Sequence, residues 1–264
     1  MNDLALPHRS GTNRLADVWE AVRRTGAAIG RTCRLGARTM TAAPLLVAVA
    51  MVPEFLQHVA EIRLGMFDSI AAARALADDH TRWLFGYAKV AGFTLAILLV
   101  ARFWATGSVR GAILMRPRPL LRAVFALGVL LGAGYIGEQL IAQVAAQPLR
   151  AALSVLNWVA QMGLTVWFVA ALVEDEDTTL RLALTRRLPR ALLLFVLLAC
   201  AFIPAQALHL VDHRLALGQP AAIVWALMVW DTLIIGLMTA LLGSALWVGS
   251  GKDDATARSS SPGP

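Results

Sequence analysis

Long apolar runs, each about the length of a bilayer crossing, alternate along the chain with short segments rich in arginine. A transmembrane helix needs about 20 predominantly apolar residues, and six runs meet that length: about 39–62, 87–104, 123–145, 151–173, 191–211 and 221–248. The pattern predicts an all-α polytopic membrane protein of six spans. Ahead of the first run, Leu15, Val18, Trp19, Val22, Ile29 and Cys33 recur at helical spacing, with Arg14, Arg23, Arg24, Arg31 and Arg34 largely opposite them. Residues 13–35 are therefore expected to form an amphipathic helix lying in the membrane interface. Residues 66–82 are too polar to span; Met66, Phe67, Ile70 and Leu76 are expected to lie along the outer surface. The run Glu174-Asp175-Glu176-Asp177 reads as the acidic first turn of a short helix that closes on Arg186, Arg187 and Arg190. Pro53 inside the first run predicts a kink. Residues 1–12 and the Ser/Asp/Pro tail 251–264 are expected to be disordered.

Composition narrows this further. The chain is 58% hydrophobic and only 16% charged, whereas soluble domains carry about a quarter charged residues. Six spans and their connections fill the 264 residues and leave no room for an appended soluble domain. The net charge of +7 comes from arginines beside the apolar runs, as on the cytoplasmic flanks of membrane spans, so nucleic acid is excluded as a partner. Eighteen of the Lys and Arg residues fall on one side and six on the other. That asymmetry predicts a bacterial inner-membrane protein with both termini in the cytoplasm, its arginine-rich leader helix touching anionic lipid headgroups. Protein partners leave no signature. No early apolar stretch precedes the first span, which is expected to direct insertion itself. Cys33 in the basic leader and Cys200 within an apolar run are expected to lie a membrane half-thickness apart, too far for a disulfide.

Two stretches match without gaps: Pro53 to Leu64 in the first span, and Pro204 to Leu215 in the fifth. Both read P-x4-H-x2-[ED]-x-R-L at the same depth, which suggests three tandem helical hairpins related by a pseudo-repeat, most diverged in the middle unit. The segment Glu174 to Asp177, followed by Leu180-Arg181-Leu182-Ala183-Leu184 and an arginine-rich lead into a span, resembles the short pre-span helix of YciC-like bacterial inner-membrane proteins. It is similar also to the membrane domain of some glycerophosphodiester phosphodiesterases. The resemblance implies a six-span membrane domain; the catalytic domain of the phosphodiesterases has no counterpart here, so their activity is not implied.

Ionisable groups inside spans are costly, and so are candidates for function. At 1.5 Å per residue, Glu54 and Glu138 lie about 20 Å above the cytoplasmic boundary and His58 and His209 about 27 Å, with Asp231 near the midplane. Gln57, Glu61, Asn157, Gln161 and Asp212 belong to the same outer half, so these ten residues are the candidate lining of a periplasm-facing polar cavity. The plainer reading is that Glu61, Asp212 and His213 mark helix exits and that the amides bond neighbouring helices. His58 with Glu61, and His209 with Asp212, are each spaced i, i+3 on one helix face, so the two pairs facing each other form a candidate metal site; otherwise no cofactor is indicated. No catalytic elbow accompanies them. The reading favoured is a non-enzymatic small transporter or a component of lipid or membrane assembly. An intramembrane metal enzyme and a structural or regulatory subunit are the alternatives.

Overall fold

Proline sets where most of the spans begin, because its missing N–H and fixed φ suit the first turn of a helix. Pro44, Pro117, Pro148 and Pro189 sit in the first turns of their helices, and Pro220 is the N-cap of the last. In the computed structural model, which describes residues 11–252, the chain forms ten helices and no strand among the described residues. They are α1 (Gly11–Ala42), α2 (Pro44–Arg63), α3 (Ile70–Ala75), α4 (His80–Thr106), α5 (Val109–Ile113), α6 (Pro117–Ala142), α7 (Gln147–Leu172), α8 (Leu180–Thr185), α9 (Leu188–Ala216) and α10 (Ala221–Ser250). Six of these, α2, α4, α6, α7, α9 and α10, are long and apolar enough to cross a membrane. The chain is an all-helical, multi-pass membrane protein. The leader 1–10 and the tail beyond residue 252, expected to be disordered, lie outside the described residues.

Successive spans pack as hairpins, α2 on α4, α6 on α7 and α9 on α10. The last of these spans, α10, also packs against α2, α4 and α1 and is the central post of the bundle. By contrast α6 packs chiefly on α7, and most of its apolar side chains face outward.

Several boundaries differ from expectation, each for a local reason. The leader helix is longer than 13–35 and runs to Ala42, and the first span starts at Pro44, not at residue 39. Ala43 between them takes φ −142° and ψ 51°, because a residue before proline is driven out of the helical region. Nor does α1 lie only in the interface: its C-terminal half packs on α10 and α9, where a Cβ on Gly36 would meet the Leu241 side chain at 2.6 Å. Cys33 and Cys200 consequently border one cleft, not opposite levels of the membrane, and both thiols are free. Neither Pro53 nor Pro204 breaks its helix, since α2 and α9 are each continuous through it.

The second span begins at His80, seven residues before its expected start, capped by the Asp79 carboxylate, which accepts from Arg82 N at 3.1 Å. Phe67 does not lie on the surface. It is buried against Ala216, Val224 and Met228, and Gly218 N donates to its carbonyl at 2.8 Å, which ties this loop over one end of the bundle. At the other end, where the arginine clusters gather, the acidic run is a loop and not a helical turn; the hydroxyl of Thr179 caps α8. Glu174 has positive φ and pairs with Arg102 at 3.1 Å. Arg102, only 4% exposed, also donates to the carbonyls of Leu172, Gly111 and Ala112, which fastens α4 to α5 and to the end of α7.

Two predictions follow from these contacts. A Cβ at Gly92 would come within 2.5 Å of the Val49 carbonyl oxygen and 3.0 Å of Pro53, whereas one at Gly128 would meet nothing within 4 Å. Gly92→Ala is expected to lower stability in detergent by about 1–3 kcal/mol by forcing α2 and α4 apart, with Gly128→Ala neutral or slightly stabilising; thermal unfolding of the two variants checks this. Burial pushes the Asp175 carboxyl up, but the Thr178 hydroxyl and the Arg187 guanidinium outweigh it and hold the group below its ordinary value of 3.8. A depressed carboxyl contributes stability above its unfolded pKa and loses it as pH falls through the folded one. Hydrogen exchange in residues 174–187 should therefore accelerate below about pH 4, and Asp175→Asn should remove much of that acid step.

Candidate functional site

Helical geometry brings the charged residues of α2 and α4 into register. Glu54 and Glu61 are seven residues apart, as are Arg82 and Lys89 on α4, so each pair lies on one face two turns apart. Because the helices run antiparallel, Glu61 meets Arg82, with Nε donating to Oε1 at 3.0 Å, and Glu54 meets Lys89, with Nζ 2.8 Å from its Oε1. Gln57, between the two carboxylates, donates to Glu61 Oε1 at 3.0 Å.

His58 turns this ladder toward the centre of the bundle. Its Nε2 donates to Asp231 Oδ2 on α10 at 2.9 Å and stands 3.2 Å from Glu54 Oε1, while Nδ1 faces Glu61 Oε2 at 3.4 Å. Carboxylates only accept, and a neutral imidazole donates from one nitrogen alone, so the remaining face requires a second proton or another cation. On α9, His209 Nδ1 lies 2.8 Å from both oxygens of Asp231, and His213 Nε2 lies 3.5 Å from Oδ2. His213 lies between the other two imidazoles, tilted against His58 with ring centroids 5.2 Å apart and edge-on to His209 at 4.6 Å.

The cluster is withdrawn from its surroundings. Glu54, His58 and Asp231 are fully buried, Glu61, Gln57 and Asp212 nearly so, and only His209 and His213 keep some exposure. Buried oxygens remain without a hydrogen-bond partner, among them Glu54 Oε2, Gln57 Oε1 and Asp212 Oδ2. Four carboxylates, Glu54, Glu61, Asp212 and Asp231, thus stand with two permanent cations, Arg82 and Lys89, an excess of two negative charges before any second proton on the three imidazoles is counted. Two sets of groups lie within metal-ligating reach, with one ligand atom from each residue inside 4.8 Å of the others: His58, His213 and Asp231, and Glu54, His209 and Asp231.

Of the ten sequence candidates, Glu54, Gln57, His58, Glu61, His209 and Asp231 come together, with Asp212 buried beside them. Glu138 is exposed on α6 and does not join them. Asn157 and Gln161 belong to the α6–α7 hairpin. Asn157 packs where a Cβ on Gly137 would fall 2.4 Å from its Oδ1. The Gln161 amide, oriented by its partners, donates to Leu130 O at 3.1 Å and accepts from Gly134 N at 2.8 Å. The metal set expected from i, i+3 spacing also changes, because Asp231, Glu54 and His213 approach the imidazoles in place of a facing His209–Asp212 pair. Arg82 and Lys89 enter the sequence reading only as outer-side charge, and His213 only as a helix exit; all three stand against the buried carboxylates. The seven-residue spacing that Arg82 and Lys89 share with Glu54 and Glu61 is the signal that finds the two cations.

Asp231→Ala and His58→Ala are each expected to cost about 3 kcal/mol, since each strands buried polar partners. The double variant should cost less than the two singles together by about 0.5–3 kcal/mol, as contacting residues do. Chemical or thermal unfolding of the three variants tests this, and strict additivity would show that the contact carries no energy. The chain matches no family model, no curated protein and no solved structure.

Proposed function

We propose that the protein is a small inner-membrane transporter that takes up a cation at the buried cluster between α2, α9 and α10. The observation that carries the reading is the charge imbalance: four carboxylates, two permanent cations and three imidazoles packed where water is scarce. An unpaired buried carboxylate costs several kcal/mol, so the cluster favours arrival of a positive charge. Intramembrane ionisable groups facing a bundle interior mark ion and substrate paths in general, and partly buried His213 and His209 form the side from which such an ion enters. A role in lipid or membrane-protein assembly has less support, because these polar groups meet inside the bundle and not at its lipid face.

The orientation belongs to the same proposal: both termini in the cytoplasm and the cluster toward the periplasm. Eighteen against six in Lys and Arg supports it, and two of the six, Arg82 and Lys89, are there as counter-ions to Glu61 and Glu54. Exposed Val18, Trp19 and Val22 on α1, with the arginines of that helix, fit contact with anionic lipid. The likeness of residues 174–184 to YciC-like proteins fits a six-span membrane domain.

The test is flux into liposomes containing the purified protein and ion-reporting dyes, with H⁺, Na⁺, Mg²⁺, Mn²⁺ and Zn²⁺ gradients imposed in turn. Wild type should relax at least one gradient, and Asp231→Asn should slow that flux about tenfold or more. Should no cation move faster than in empty liposomes, the transport reading is wrong.

A further inference from the structure

Resting on the reading of this cluster as a cation site, we infer that the ion it takes is a divalent transition metal of the zinc class, and that Lys89 acts as a tethered competitor for it. Imidazole nitrogen mixed with carboxylate oxygen is the donor set that suits zinc and its neighbours, whereas magnesium and calcium prefer oxygen alone. The geometry agrees. Zinc bonds of about 2.0–2.2 Å to such ligands in a tetrahedron hold the donor atoms about 3.3 Å from one another. Here Asp231 stands 2.8 Å from His209, 2.9 Å from His58 and 3.5 Å from His213, and His58 stands 3.2 Å from Glu54. The donors lie within about 0.5 Å of the spacing that a bound ion imposes, the shortest pairs being hydrogen-bonded while the site holds protons, and they come from three different spans.

A second observation, independent of that spacing, is the fully buried Glu54 carboxylate. Its Oε2 has no hydrogen-bond partner, although the residue belongs to one of the two ligand sets. The ammonium of Lys89 approaches the other oxygen at 2.8 Å while remaining 22% exposed. A long side chain reaching in from a neighbouring helix supplies one positive charge and withdraws toward solvent along its own stem. A divalent ion that displaces it supplies two, a net gain of one positive charge that halves the excess negative charge of the cluster. Arg82 is placed differently: it is fixed by Glu61 and by the Ala77 carbonyl at 2.9 Å, so it holds the end of the ladder closed.

The experiment uses the full-length protein in detergent micelles, stripped with a chelator and titrated with Zn²⁺ against a chromophoric competitor; bound metal is counted after dialysis. Wild type should bind zinc saturably, and Asp231→Asn should weaken binding about a hundredfold by removing the shared ligand. Lys89→Met should tighten binding about tenfold by removing a like charge beside the ligands, while Glu138→Gln leaves it unchanged. His209→Gln, at a partly exposed position, replaces Asp231→Asn if the latter does not fold. Folded wild type that fails to bind zinc saturably overturns the inference, as does undiminished binding by the ligand variants. Binding that weakens in Lys89→Met overturns the competitor role. Flux of other cations without zinc binding defeats this inference alone, whereas zinc binding without any flux leaves the metal site standing and defeats the transport reading.

Discussion

Asp231 is the only charged residue of α10 and is fully buried near the middle of the most central helix. A carboxylate in that position costs several kcal/mol unless neighbours compensate it, and the neighbours that do so define how three spans meet. His58 fixes the rotation of α2 against α10, and His209 and His213 fix that of α9. Apolar packing alone leaves such rotations loosely specified inside a bilayer, where lipid tails are as apolar as the helices. Directional contacts to one buried charge restrict them. The ladder between α2 and α4 then follows, because the face that presents His58 to α10 carries Glu54 and Glu61 on its flank, and both demand cations from the next helix.

The same first-helix sequence meets opposite solutions in two hairpins. In α2 the acidic residue of P-x4-H-x2-[ED]-x-R-L is Glu61, and α4 answers it with Arg82. In α9 it is Asp212, and α10 offers no cation at all, only Asp231. Two like segments placed side by side therefore do not make two neutral hairpins; they make one balanced hairpin and one with surplus negative charge, joined through His58. The middle hairpin carries amides at this level instead: Gln161 of α7 hydrogen-bonds to the α6 backbone, and Asn157 packs against Gly137. Its one carboxylate at this level, Glu138, faces outward and needs no partner in the bundle, and α6 remains peripheral.

Much of this was legible in sequence because membranes leave few alternatives: six apolar runs can only be helices. Their starts were less so, since hydropathy places the first at 39 and the third at 123 where the prolines at 44 and 117 begin the helices. The matched His positions were legible too, since repeated polar residues at equal depth are rarely incidental in so apolar a chain. Lys89 and Arg82 were not, because one reads as the charged mouth of the second span and the other as loop, and hydropathy cannot see that a carboxylate on the preceding helix draws them inward. The Asp79 cap is why α4 starts at His80 and not at residue 87. Glu138 misled for the converse reason: depth along a span says nothing about azimuth, and α6 turns it outward. The level of Cys33 was misjudged because an amphipathic pattern fits a helix on lipid and a helix laid against α9 and α10 equally well.

The prolines link this charge arrangement to the backbone. Pro53 and Pro204 each stand five residues before a cluster histidine and, lacking an N–H, release the carbonyl one turn earlier. At Pro53 that carbonyl belongs to Val49, and Gly92 of α4 is packed directly against it with no room for a Cβ. The close approach of α4 at this level brings Lys89, one turn away along the same helix, to the depth of Glu54. A larger residue at 92 would shift the lysine as well as the helix, so the small residue serves the charge pair and not only the packing. Backbone defect, glycine contact and ion pair are in this sense one feature: the proline opens the carbonyl, the glycine fills the space beside it, and the lysine reaches the buried carboxylate because both have let the helices close.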